Sequence, residues 1–350
     1  MSALQQPSVL LVGNFLGHTA RGLSVGEDLA PRLQAAGWRV ATTSTQEARV
    51  RRLADMLATV WSRRADYDVA HVDVYSGPAF IWAEAVVALL RALGKPHVLT
   101  LHGGELPRFA ERWPRRVRRL LAAAAAVTTP SAYLQQSMGA SRGDLMLVPN
   151  ALELARYPFR IRAPARPRLI WLRAFHALYN PSLAPRVVAG LVAEYPDVEL
   201  TMVGPDRGDG ALEASRREAI RLGVQEHIRW VGAVPKREVP VWMDRGDIFL
   251  NTTNVDNTPV SVLEALACGL CVVSTSAGGM PDLVRDGEEA LLVPLDDAAA
   301  MTAAVAHVLR DRAHARSLSL SARARAAAVD WAAVMPRWDG LLRDAAGRAA

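Results

Sequence analysis

Short apolar runs alternate with longer amphipathic stretches along almost the whole chain. "SVLLVGNF" is a brief apolar run closed by Gly13 and Asn14, and the helical pattern "LSVGEDLAPRLQAAGW" follows it, with Gly37 as its stop. The same phrase repeats through "RVATTST", "VRRLADMLATVWSRRA", "YDVAHVDVY", "AFIWAEAVVALLRALG", "PHVLTLHGG", "VRRLLAAAAA" and "AVTTPS". Short apolar runs separated by helical stretches of about ten to fifteen residues predict a parallel α/β sheet covered on both faces.

The alternation stops once. "FRIRAPARPR", residues 159–168, is rich in Pro and Arg and has no period. It then resumes with "LIWLRAF", "SLAPRVVAGLVAEY", "VELTMVG", "ALEASRREAIRLG", "IRWVGAV", "VPVWMDRG", "DIFLNTT", "PVSVLEALACG", "LCVVSTS", "LLVPL" and "AAAMTAAVAHVLRD". The expected organisation is a first α/β domain over 1–160, a linker over 161–168 and a second α/β domain over 169–325. A helical segment over 326–350 caps the second domain or crosses back to the first. Two such domains place a cleft between the carboxyl ends of two sheets, where open sheets bind ligands.

Composition sharpens this picture modestly. A chain of 350 residues exceeds the size that one core usually serves, and 51% apolar with 22% charged residues is globular. The net charge of +6 comes from 41 basic and 35 acidic residues, and Lys95 and Lys236 are the only lysines. The first apolar run lacks a preceding basic segment and reads as a buried strand, not a signal peptide. No stretch is long and apolar enough to span a bilayer, so a cytoplasmic protein is expected. Two cysteines cannot form a secreted disulfide scaffold.

Those cysteines, Cys268 and Cys271, form a C-x-x-C pair that invites a redox or metal reading. A redox pair sits at a helix N-terminus, where the dipole lowers a thiol pKa. Here Cys268 ends a helical pattern, Gly269 stops it and Cys271 begins a strand, so packing is the expected role. No further pair or suitably spaced His joins the two as metal ligands.

The frame around them carries more chemistry. "NTTNVDNTPVSVLEALACG" places Asp256, Asn257, Thr258 and Pro259 in a loop after a strand, with a helix starting near Val260. Free N–H groups at a helix start hold phosphate oxygens. Glu264 follows Asp256 by eight positions, so both carboxylates can face one ligand. The bland reading makes Asp256 and Asn257 turn residues and Glu264 a solvated helix position.

The run from Asp256 through "EALACGLCVVSTSAGGMPDLVRDGEEALLVP" resembles the signature of the retaining glycosyltransferases of family 4, which have the GT-B fold of two Rossmann-like α/β domains facing each other across a cleft. The resemblance is strong over about residues 200–295 and weaker elsewhere, through the first glycine-rich loop and "LTLHGGEL". It implies a transferase that moves a sugar from a nucleotide-sugar donor, UDP- or GDP-linked, to a hydroxyl acceptor. It makes 1–160 the acceptor side and 169–325 the donor side.

Residue by residue, it implies that Glu264 binds ribose hydroxyls and that Asp256 stands where a Glu faces the transferred sugar. Thr258, Pro259 and Val260 would offer backbone groups to the donor, Arg173 would grip the diphosphate, and His102 would lie near the sugar. Gly17 to Gly22 would approach from the other lobe. The family's Lys about five positions after the Arg is missing, its region being held by Leu178, Tyr179 and Asn180. Cys271 replaces a Pro, and Asp282 stands where the family has a Glu. The resemblance further implies a metal-independent enzyme with no separate cofactor, because cationic groups and helix dipoles stabilise the leaving diphosphate.

Two rival readings stand beside transfer: a GT-B enzyme of another class, such as a phosphorylase or epimerase, and a non-catalytic nucleotide-sugar-binding subunit, which the missing Lys favours. One further surface suggests a partner. "RFAERWPRRVRRLLAAA" gathers six arginines between Arg108 and Arg119 beside Trp113. Such a helix could rest on anionic headgroups, which suits a lipid-linked acceptor, or form a solvated face. No nucleic-acid recognition motif accompanies the charge.

Overall fold

A computed structural model describes residues 6–16 and 25–347. The chain packs as two units, one of residues up to Asn150 together with those from Ala332 on, the other Ala151–Trp331.

The first unit is built on six parallel strands, β1 (Ser8–Val12), β2 (Arg39–Thr43), β3 (Val69–Val74), β4 (His97–Leu101), β5 (Ala126–Thr129) and β6 (Met146–Leu147), in the order β2-β1-β3-β4-β5-β6. Its helices are α1 (Val25–Ala35), α2 (Arg49–Ser62), α3 (Phe80–Ala92), α4 (Leu106–Arg112), α5 (Pro114–Ala122) and α6 (Ala132–Ser137). Strands β1, β3 and β4 are buried almost throughout, as expected of a sheet covered by helices. The basic stretch read as one helix is two. Trp113 leaves helical geometry (φ −130°, ψ 53°) because the following Pro114 disfavours the α region at its neighbour.

The second unit repeats the plan with β7 (Arg168–Leu172), β8 (Glu199–Val203), β9 (Ile228–Gly232), β10 (Ile248–Asn251), β11 (Cys271–Thr275) and β12 (Leu291–Val293), parallel and ordered β12-β11-β10-β7-β8-β9. Its helices are α7 (Leu183–Leu191), α8 (Ala211–Arg221), α9 (Val239–Arg245), α10 (Val260–Ala267), α11 (Met280–Leu283), α12 (Ala298–Arg310) and α13 (Arg312–Ala327). Successive strand residues point to opposite faces, and each face has its own core. Leu169, Trp171, Ile248, Leu250 and Val273 pack with α7 and α12, while Ile170, Phe249 and Val272 pack with α10. That is why these strands read as unbroken apolar runs.

The Pro- and Arg-rich segment read as a linker is bound to this second unit. Arg160 Nε donates to Asp244 Oδ1 at 3.1 Å, and the fully buried Arg162 donates to the same oxygen at 3.1 Å. A last helix, α14 (Trp331–Gly347), belongs to the first unit from Ala332 onward, where Asp339 accepts a bond from Trp38 Nε1 at 2.7 Å. Among the described residues no helix is long and apolar enough to cross a membrane.

Candidate functional site

In the second sheet β7 starts the unit, β8 and β9 extend to one side, and β10 to β12 extend to the other. The order therefore reverses between β7 and β10, and the crevice beyond the carboxyl ends of that strand pair is where open α/β sheets bind ligands. Arg173 follows β7 directly, and the loop 252–259 follows β10. Pairing of the two strands, with Ile248 beside Leu169, brings both segments together.

Arg173 Nη2 donates to Asp256 Oδ2, and the guanidinium lies over the Tyr179 ring, 4.3 Å from its centroid. Asp256 Oδ1 accepts from the Asn257 amide at 2.8 Å. The Arg173 Nε and the hydroxyl of Ser261 are buried without a hydrogen-bond partner. Burial without a partner costs about 1–3 kcal/mol per group, so each of these donors lacks an acceptor that an anion oxygen would supply. Two glycines make the geometry possible. A Cβ on Gly278 (φ +54°) would stand 1.9 Å from the Asp256 carbonyl oxygen, and one on Gly204 (φ +150°) 1.7 Å from that of Arg173. Gly279 N–H also donates to the Asp256 carbonyl at 3.1 Å.

Helix α10 opens at Val260 behind Pro259, with Thr258 buried just ahead of it. Glu264 is only 2% exposed, so the solvated reading of this position is corrected. Its Oε1 accepts from Tyr157 Oη at 2.9 Å and pairs with Lys236 Nζ. Neither partner follows from the sequence pattern. Lys236 did carry a signal, as one of two lysines in a chain whose other cations are all Arg. Tyr157 carried none. Asp256 and Glu264, expected to face one ligand together, each hold a protein cation here.

His102 lies in the first unit, at the carboxyl end of β4. Its Nε2 donates to Asp73 Oδ1 at 2.9 Å and its ring stacks on Tyr75, with centroids 5.0 Å apart. Burial pushes the Asp73 carboxyl up, but the His102 charge and hydrogen bond, with help from His71, more than reverse this and hold it below its ordinary value. Burial and the Asp73 charge push the Tyr75 hydroxyl well up. Asp73 and Tyr75 are thus the groups that fix the His102 ring. Gly17 and Gly22 lie outside the described residues.

The cysteines pack, as read. Both are free and fully buried, but Cys268 belongs to the core on the α10 face of the sheet and Cys271 to the core on the other face. Burial pushes both thiols up to about 12. A D-x-D triplet does occur, Asp66–Tyr67–Asp68, but it lies at the amino end of β3. There Asp68 accepts from the Ser8 amide at 3.0 Å and its hydroxyl at 2.6 Å. A cavity of about 400 Å³ bordered by Arg168, Glu199 and Arg229 also opens at amino ends, those of β7 to β9, away from Arg173.

Comparison with known proteins gives the following. The profile of glycosyl transferases group 1 matches residues 166–311, and that of glycosyltransferase family 4 matches residues 42–156. The GDP-mannose-dependent alpha-(1-6)-phosphatidylinositol monomannoside mannosyltransferase of Mycolicibacterium smegmatis is 30% identical over 45% of this chain and 42% of its own. The D-inositol 3-phosphate glycosyltransferase of Streptomyces avermitilis is 28% identical over 75% of this chain and 61% of its own. The matches thus span less than two thirds of those relatives. Among solved structures, sucrose-phosphate synthase from Thermosynechococcus elongatus superposes with a TM-score of 0.78 at 18% identity, over 96% of this chain and 98% of that one. Anabaena HepE, in complex with UDP and glucose, gives 0.76 at 15% identity over 96% and 99%. At these identities the likeness speaks to the fold.

Proposed function

The chain belongs to the family 4 type of GT-B glycosyltransferases, and from that premise we propose that it moves a sugar from a nucleotide-sugar donor to a hydroxyl acceptor with retention of configuration. The observation that carries this reading is the cluster at the strand-order reversal: Arg173 paired with Asp256, the start of α10, and two buried donors, Arg173 Nε and Ser261 Oγ, with no protein partner. Oxygens of a donor diphosphate satisfy such donors.

In the proposed step the bond from the anomeric carbon to the diphosphate oxygen breaks, and a bond to the acceptor oxygen forms on the same face. The acceptor proton passes to the departing phosphate. Arg173 and the amides at the start of α10 stabilise the negative charge that develops there, so no metal ion is required at that point. Glu264 holds the ribose hydroxyls through carboxylate capacity that Tyr157 and Lys236 leave open on Oε2. Asp256 contacts the sugar, and the backbone of Thr258, Pro259 and Val260 lies along the donor. Lys236 supplies a cation in this unit, where the family's Lys is missing near Leu178.

The donor is UDP- or GDP-linked. The Mycolicibacterium relative is named as GDP-mannose-dependent, and HepE was solved with UDP. The acceptor is a sugar or lipid-linked hydroxyl compound. Exposed Arg112, Arg115, Arg118 and Arg119 beside Trp113, which is 46% exposed, form a surface suited to anionic headgroups at the cytoplasmic face.

Calorimetric titration with UDP, GDP and ADP and their sugar conjugates, on the parent and on Glu264→Ala, tests the reading. Selective binding of one nucleotide, lost in the variant, supports it. No binding of any of them by folded protein would sink it.

A further inference from the structure

We propose that His307, Asp311 and His314 bind one divalent transition-metal ion of the zinc class, clamping the corner between α12 and α13. The proposal is independent of the donor site. The ligand atoms of the three side chains lie within 4.8 Å of one another. His307 stands in the last turn of α12; Asp311 leaves helical geometry (φ −96°, ψ 90°) and caps α13, accepting from the His314 amide at 2.9 Å. The break at Asp311 between the two helices thus brings the three groups together.

The protonation pattern is that of a metal ligand set. His314 Nε2 lies 2.9 Å from the carbonyl oxygen of Gly287, which can only accept, so Nε2 carries the proton. Nδ1 therefore presents its lone pair, and it points at His307 Nε2 2.7 Å away. A ligating His whose other nitrogen donates to a backbone carbonyl is the arrangement that fixes tautomer and ring orientation in metal sites. With no ion bound, a proton on His307 Nε2 bridges the two rings. On metal binding that proton is relocated to His307 Nδ1, so the ring stays a neutral imidazole and both facing nitrogens become ligands.

Two imidazoles and one carboxylate suit Zn²⁺, Ni²⁺ or Cu²⁺ and not Mg²⁺ or Ca²⁺, which take oxygen ligands. His307 and Asp311 are exposed, so an ion can enter and water can complete the coordination. The neighbouring Arg310 is turned to Glu194, with Nε at 2.9 Å from Oε1, and does not compete for Asp311.

The test uses the full chain without a polyhistidine tag, titrated with ZnCl₂ by calorimetry and with Co²⁺ by visible absorption. One Zn²⁺ per chain is expected, with a rise in the thermal midpoint and Co²⁺ d–d bands. His307→Gln and His314→Gln should each weaken binding at least about tenfold and remove the bands, while Asp311→Asn, which keeps the helix cap, should weaken it less. Absence of saturable Zn²⁺ binding to the parent, or binding unchanged in both histidine variants, would overturn the proposal. Gln keeps a polar side chain at the exposed His307 and the half-buried His314, and circular dichroism of each variant confirms that it is folded.

Discussion

Lys236 and Glu264, 28 residues apart, form an ion pair on a carboxylate that is almost fully buried, and Tyr157 donates to the same oxygen at 2.9 Å. A buried carboxylate without partners is costly, so this pair sets how Glu264 is held before any ligand arrives. Lys236→Met should lower stability by about 1–2 kcal/mol, a discounted figure because the Lys is partly exposed, and weaken nucleotide binding several-fold. Tyr157→Phe should cost about 1.5–3 kcal/mol, the worth of a hydrogen bond to a charged group. Urea unfolding and calorimetry on the same samples check both; unchanged stability in both variants would refute this account of Glu264.

Gly278 is the second lever on the site. Alanine there must adopt φ near +54° and meets the Asp256 carbonyl oxygen at 1.9 Å, which is backbone and cannot swing aside. The left-handed conformation alone costs about 1–2 kcal/mol. Gly278→Ala should therefore displace the Asp256 loop, losing transfer activity and lowering the melting temperature. The contrasting variant Gly287→Ala has the same backbone penalty but open space around its Cβ, and should lower stability while leaving nucleotide binding unchanged.

His71 predicts an acid limb of stability in the first unit. Burial, against the pull of Asp73, brings its pKa down from 6.5 to about 4. A group protonated more readily when unfolded contributes its full stability above about pH 6.5. That contribution drains away as pH falls toward about 4 and changes no further below. The loss over this window is on the order of 3 kcal/mol. Denaturation midpoints measured from pH 7 to 4 should follow that slope, and His71→Gln should flatten it.

The two thiols should be inert. With both thiols pushed up to about 12 and both side chains buried, the native protein should give no reaction with a thiol-specific disulfide reagent until it is unfolded. The Cys268→Ser/Cys271→Ser double variant should keep nucleotide affinity. Abolished activity in a folded double variant with intact affinity would return the pair to the chemistry.

The arginines of α4 and α5 carry the membrane expectation. Each exposed Arg near an anionic surface contributes about 1 kcal/mol. Replacing Arg112, Arg115, Arg118 and Arg119 by Gln should abolish sedimentation with vesicles containing phosphatidylglycerol, and 0.5 M salt, roughly three times physiological ionic strength, should weaken the parent's binding. Equal sedimentation of parent and variant would show that this face is merely solvated.

The apolar and helical periods of the chain by themselves determined two parallel α/β units, because strands buried on both faces and helices buried on one leave different repeats in a sequence. They also place Cys268 at a helix end and Cys271 at a strand start, which denies the pair a redox role independently of its burial. The signature from Asp256 to Glu264 was legible because its spacing is local: one loop and little more than one turn of one helix. What only the tertiary structure decided lies at long separation. Arg173 reaches Asp256 across 83 residues and Tyr157 reaches Glu264 across 107. The first of these contacts follows from strand order, which sets β10 beside β7. Period reports which way a side chain faces; it does not report which strand lies next to which, and that adjacency joins the charges of the site.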